Sequence, residues 1–159
     1  MSPALSATAR RLFLAIALLA TAGIAVSSVS LQHHYAKSKT AYCSFGESFD
    51  CDIVNRSVSS SIAGIPVALI GILGYAALLA LATLYRAKAE TPGILLLASL
   101  AGLGFALYLT YIEGFVLGTW CVLCLSSLVM ITAIAALSGL QFWRSAREEG
   151  RRSQVAGDS

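Results

Sequence analysis

Charge is what this chain most lacks. Of its 159 residues only 12% are Asp, Glu, Lys or Arg, about half the share found in a soluble domain. So few charges cannot cover a water-facing surface, and 57% of the residues are apolar. The bilayer is therefore the implied solvent. Strand-like alternation is missing as well. Because only helices or closed barrels satisfy the backbone in lipid, the expected class is all-α. A basic stripe with an aromatic platform is also absent, which excludes nucleic acid as a partner. There is no internal repeat.

What is present is a set of four apolar runs, at about 12–31, 62–85, 93–112 and 121–143. Each has the roughly 20 residues a helix needs to cross the hydrocarbon layer. The expected architecture is an integral membrane four-helix bundle over residues 1–143, with one large outer loop and a solvated polar tail at 144–159. Lys and Arg set the orientation. With the N-terminus cytoplasmic, the inner side holds eight of them: Arg10, Arg11, Arg86, Lys88, Arg144, Arg147, Arg151 and Arg152. The outer side holds Lys37, Lys39 and Arg56. Both termini are thus expected in the cytoplasm, in a multi-pass protein of the cell inner membrane. The first run also has features of a cleaved signal peptide, but it exceeds the usual apolar region of about 7–15 residues, so retention is expected. Gly64, Gly71, Gly74, Gly102 and Gly104 are read as small residues that let helices approach closely.

The chain has four cysteines. Cys43 and Cys51 lie with seven residues between them in the polar stretch between the first two runs, and Cys121-Val122-Leu123-Cys124 opens the last. In this topology all four face the outer compartment, where disulfides persist. Cys121 stands at the start of a helix, whose positive end and unpaired N–H groups lower a thiol pKa. Cys124 lies one turn further in and can close a small disulfide ring. A pair at membrane depth can meet a lipid-soluble acceptor, whereas a water-exposed loop pair suits exchange with a soluble protein. Zinc fits these spacings poorly. Spacing alone leaves two readings open, static structural disulfides and a redox relay.

In this order on four spans, the sequence resembles the vitamin K epoxide reductase family, particularly its bacterial homologues. The residues that carry the resemblance are the Cys43…Cys51 pair, Ser57 six residues later, and Gly64-Ile65-Pro66 before the second span. To these are added Tyr108-Leu109-Thr110-Tyr111-Ile112-Glu113 and the Cys121-Val122-Leu123-Cys124 motif. The resemblance implies a bundle around a quinone, ubiquinone or menaquinone, with Cys124 beside the ring. It also implies that a soluble thioredoxin-like (DsbA-like) partner reduces a Cys43–Cys51 disulfide. Cys51 then attacks Cys121, and Cys124 delivers electrons to the quinone. By the same analogy Ser57 and Phe115 are candidate quinone contacts. The vertebrate enzymes carry Thr-Tyr-Ala where this chain has Ser127, Leu128 and Val129. That departure favours oxidation of protein thiols over reduction of vitamin K epoxide. Many bacterial relatives carry a fused thioredoxin-like domain, whereas here the partner is expected to be a separate polypeptide. The alternatives are a vitamin K epoxide or quinone reductase proper and a non-catalytic tetraspan scaffold with static disulfides.

Four further groups of residues stand out. Glu113 is expected at the membrane rim, reaching water, with proton management for quinone as the competing role. His33 and His34 read as interfacial loop residues, and Trp120, Tyr108, Tyr111 and Phe115 as an aromatic belt. Asp50 and Asp52 flank Cys51 and would raise its thiol pKa.

Overall fold

The computed structural model describes residues 7–35, 49–57, 61–62, 64–85, 88 and 90–157; Cys43 lies outside them. Helix α1 spans Ala7–Tyr35, α2 Cys51–Arg56, α3 Val67–Thr83, α4 Thr91–Ile112 and α5 Val122–Gly157. A π-helical turn, Glu113–Leu117, continues α4. Strands β1, Ser61–Ile62, and β2, Ile65–Pro66, form a small antiparallel hairpin before α3. The protein is a helical membrane bundle. Among the described residues three segments, α1, α4 with its π turn, and α5, are long and apolar enough to cross a bilayer, and α3 is a shorter apolar helix.

The second apolar run is therefore not one helix over 62–85. Pro66 has no N–H to donate and forces the residue before it toward extended backbone. Ile65 accordingly pairs with Ile62 in the hairpin, and the helix starts only at Val67. At 17 residues and about 1.5 Å per residue, α3 is roughly 25 Å long, short of the ~30 Å hydrocarbon layer. α5 runs without a break through 143/144 to Gly157, fully exposed over its last turns, and Arg147 lies 3.6 Å over the Trp143 ring one turn back.

α1 packs against α3 and α5, α4 packs against α5, and α2 lies on α1. The core joins Phe13, Ile16 and Ala20 of α1 to Tyr75 and Leu78 of α3, with Leu95 of α4 and Ile131 and Ile134 of α5. One contact in it needs a residue without a side chain. A Cβ on Gly23 would lie 2.5 Å from the Tyr75 ring, so only glycine lets the aromatic ring close onto α1. Of the helical glycines read as contact points, Gly71 meets Ser27 and Gly102 meets Ile131, whereas Gly74 and Gly104 have nothing within 4 Å.

Candidate functional site

The site is built around the junction of α4 and α5. The π turn ends at Gly118, which adopts φ +63°, a left-handed conformation that glycine enters without a Cβ clash. The chain then doubles back, and the Thr119 N–H donates to the Glu113 carbonyl at 3.2 Å. Trp120 follows in extended form and pairs in parallel with Phe49. The Asp50 N–H donates to the Trp120 carbonyl at 3.2 Å. This pairing sets Cys51 against Cys121. The Asp50 carboxylate accepts the Ile53 N–H at 3.2 Å and so caps α2, a role that the reading of Asp50 as a charge beside Cys51 did not foresee.

Cys51 and Cys121 are both fully buried, in one apolar cluster with Val54 that is closed by Leu117, Leu123 and Cys124. A water-exposed position for Cys51 is thereby corrected, because the bridge between residues 49 and 120 pulls it under α2. Cys51 is disulfide-bonded, while Cys121 and Cys124 are present as thiols. Cys121 caps α5, its carbonyl accepting the Leu125 N–H at 3.0 Å. The hydrogen bond offered by the Cys124 thiol holds Cys121 below the ordinary thiol pKa, while burial and the nearby Glu113 charge push it the other way.

Cys124 opens onto a cavity of about 360 Å³ between α1, α3, α4 and α5, within the size range of small-molecule sites. Its walls are mainly apolar, and the polar points on them include Glu113, Cys124, Ser57, His34, Tyr75 and Ser127. Such a wall suits a lipophilic ring that enters from the bilayer, and Cys124 supplies a sulfur on its surface, so the residues present fit a quinone.

The other sequence-named residues fall as follows. Ser57 is on the cavity wall, and its hydroxyl donates to the Val54 carbonyl at 2.8 Å, so it also closes α2. Phe115 is 79% exposed and stacks on Tyr111 at 4.9 Å, outside the cavity wall. Glu113 does not reach water. It is 2% exposed, and its carboxylate accepts the Cys121 N–H at 3.3 Å, because the π turn swings it inward. His33 and His34 are not loop residues but the last turn of α1; His33 is buried and His34 is on the cavity wall. Trp120 packs on Gly114, where a Cβ would lie 2.8 Å from its ring, rather than standing in a belt.

Tyr75 escaped notice in the sequence. Its hydroxyl donates to the Ser127 carbonyl and pairs with the Ser127 hydroxyl, both at 2.9 Å. The signal available was a lone phenol in an aliphatic helix, since a buried Tyr O–H needs a partner.

The model of the Vitamin K epoxide reductase family matches residues 14–138. A search of curated proteins gave no match.

Proposed function

Because the chain belongs to the vitamin K epoxide reductase family, whose members are membrane quinone-linked disulfide oxidoreductases, we propose that it oxidises the thiols of a soluble thioredoxin-like protein. The observation that carries this reading is the stacking of sites: Cys51 is buried against Cys121, and Cys124, one turn on, opens to the apolar cavity. Electrons enter when the partner reduces a Cys43–Cys51 disulfide. The Cys51 thiolate then attacks the Cys121 sulfur of a Cys121–Cys124 disulfide, and Cys124 departs as a thiolate. A second attack by Cys43 on Cys51 frees Cys121, leaving both thiols reduced at the cavity.

A ubiquinone or menaquinone bound there supplies a two-electron acceptor. The chain's own part is to hold and orient that ring and to keep water from the sulfurs. The apolar walls contributed by α3 and α4 bind it, Ser57 and Ser127 offer hydroxyls at its edges, and Cys124 presents its sulfur. In this reading α3 completes a four-span bundle in the cell inner membrane, with both termini cytoplasmic and the cysteines on the periplasmic or extracellular side. Leu128, where the vertebrate enzymes have Tyr, favours protein thiols over vitamin K epoxide as the reductant–oxidant pairing served.

Trapping the cysteine states with an alkylating reagent tests the relay. Withdrawing quinone from membranes should accumulate reduced Cys121 and Cys124, and adding it back should reoxidise them. In Cys124→Ser, turnover of the thioredoxin-like partner should fall at least about 100-fold, because no Cys121–Cys124 disulfide can form to take the electrons, and a Cys51–Cys121 mixed disulfide, made when the Cys121 thiolate attacks the Cys43–Cys51 disulfide, should persist unresolved. Cysteines that stay oxidised without quinone, or a Cys124→Ser protein of normal rate, would identify a scaffold with static disulfides instead.

A further inference from the structure

Glu113 is a carboxyl group buried to 2% exposure on the wall of an apolar cavity. A carboxylate so far from water persists only where hydrogen bonds replace its solvation. The Cys121 N–H donates to it at 3.3 Å, and the Cys124 thiol stands beside it on the same cavity wall. The second of these is unusual because it is redox-active. In the dithiol, the Cys124 S–H can turn to the Cys121 sulfur or to the Glu113 carboxylate, its neighbours at the end of the cavity. Closing a Cys121–Cys124 disulfide deletes that hydrogen, and the carboxylate loses a donor in a site where water does not take its place. The cheapest compensation is to bind a proton. The π turn that aims Glu113 inward is the kind of local irregularity found often at functional sites.

We propose that Glu113 is the proton-exchange residue of the Cys121–Cys124 pair, protonated when the pair is a disulfide and ionised when it is a dithiol. The inference rests on the relay proposed above. Oxidation breaks two S–H bonds, forms one S–S bond and frees two electrons and two protons. The Cys124 proton passes to the Glu113 carboxylate. Both electrons and the Cys121 proton leave for the oxidant, a quinone by class, which draws its second proton from water. On re-reduction, Cys51 attacks Cys121, the Cys121–Cys124 bond breaks, and the departing Cys124 thiolate takes the proton back from Glu113. Neutralising that leaving group as it forms is general acid catalysis at a stated atom. His34 and Tyr75 are titratable groups on the same cavity wall, so the test must report on the carboxyl itself.

Infrared difference spectra of the purified, quinone-free protein between its disulfide and dithiol states provide that report. A protonated-carboxyl C=O band should be present in the disulfide state and absent from the dithiol. It should disappear in Glu113→Gln, which keeps an acceptor for the Cys121 N–H but cannot exchange a proton. In Glu113→Asp, which keeps a carboxyl, the band should move rather than vanish, so the assignment does not depend on the folding of Glu113→Gln alone. A wild-type spectrum without the band, or a band unchanged in both variants, overturns the inference and leaves Glu113 as a cap for α5. Because no quinone is present, failure of the wild-type protein to reduce quinone would sink the proposed function separately.

Discussion

The hydrogen on Cys124 governs the reactivity of its neighbour. Cys121 is held below the ordinary thiol range first by that S–H hydrogen bond, and the thiolate is the form that exchanges with a disulfide. A lowered pKa means a larger thiolate fraction below about pH 8.5, the ordinary thiol value, and no advantage well above it. Cys124→Ala deletes the donor and should let Cys121 rise. Its alkylation near neutral pH should slow several-fold, and the difference should close as the pH passes the ordinary thiol range. Site-resolved mass spectrometry of reduced, detergent-solubilised protein against pH checks this, and equal rates near neutral pH would show that Cys124 is not the cause. The sequence carried part of the arrangement in plain view, since a Cys-x-x-Cys at a helix start implies an activated first thiol. It did not carry the burial of Cys51 or of Glu113. Each depends on a contact between residues far apart in the chain, the bridge from Phe49 to Trp120 and the reach from Glu113 to Cys121.

Among the elements, the π turn has the largest consequence for its length. A 3.6-residue period extended from α4 would carry Glu113 along the helix surface, and nothing in the residue types announces the wider turn. The same blindness hid the last turn of α1, where Gln32-His33-His34 reads as the start of a loop, although the helix continues to Tyr35 and buries His33. Apolar runs 1, 3 and 4 were legible because hydrophobicity over about 20 residues is a strong signal; the second was legible as apolar, but its start was set by Pro66. The turn also yields an element-scale prediction. Gly118 closes it at φ +63°, where an L-residue with a side chain costs roughly 1–2 kcal/mol. Gly118→Ala should lower unfolding stability in detergent by about 1 kcal/mol, and Gly118→Asn by less, because Asn enters the left-handed region more easily. Chemical unfolding followed by circular dichroism measures both. Equal losses for the two would mean that something other than backbone conformation is at stake.

For the whole molecule the issue is direction. A thiol relay works only if its entry faces the compartment that holds the partner, so the proposed function stands on the orientation of the bundle. The residues that set it are few. Eight of the eleven Lys and Arg residues flank the start of α1, the α3–α4 connection and the far half of α5, and three fall in the stretch that holds Cys43 and Cys51. Positive charge is retained on the cytoplasmic side, and an antiparallel order of α1, α3, α4 and α5 brings the first set to one face. The π turn, α2 and the reactive sulfurs then lie at the other. Two exposed positions report on the two ends: Ser153 on the projecting helix and Phe115 on the π turn. With the four native cysteines replaced by serine, Phe115→Cys should react with a membrane-impermeant maleimide in intact spheroplasts. Ser153→Cys should react only after the membrane is opened. The reverse pattern would put the cysteine pairs in a reducing compartment, where thiols are kept reduced, and a route from protein thiols to quinone would lose its purpose even with Cys51, Cys121 and Cys124 where the fold places them.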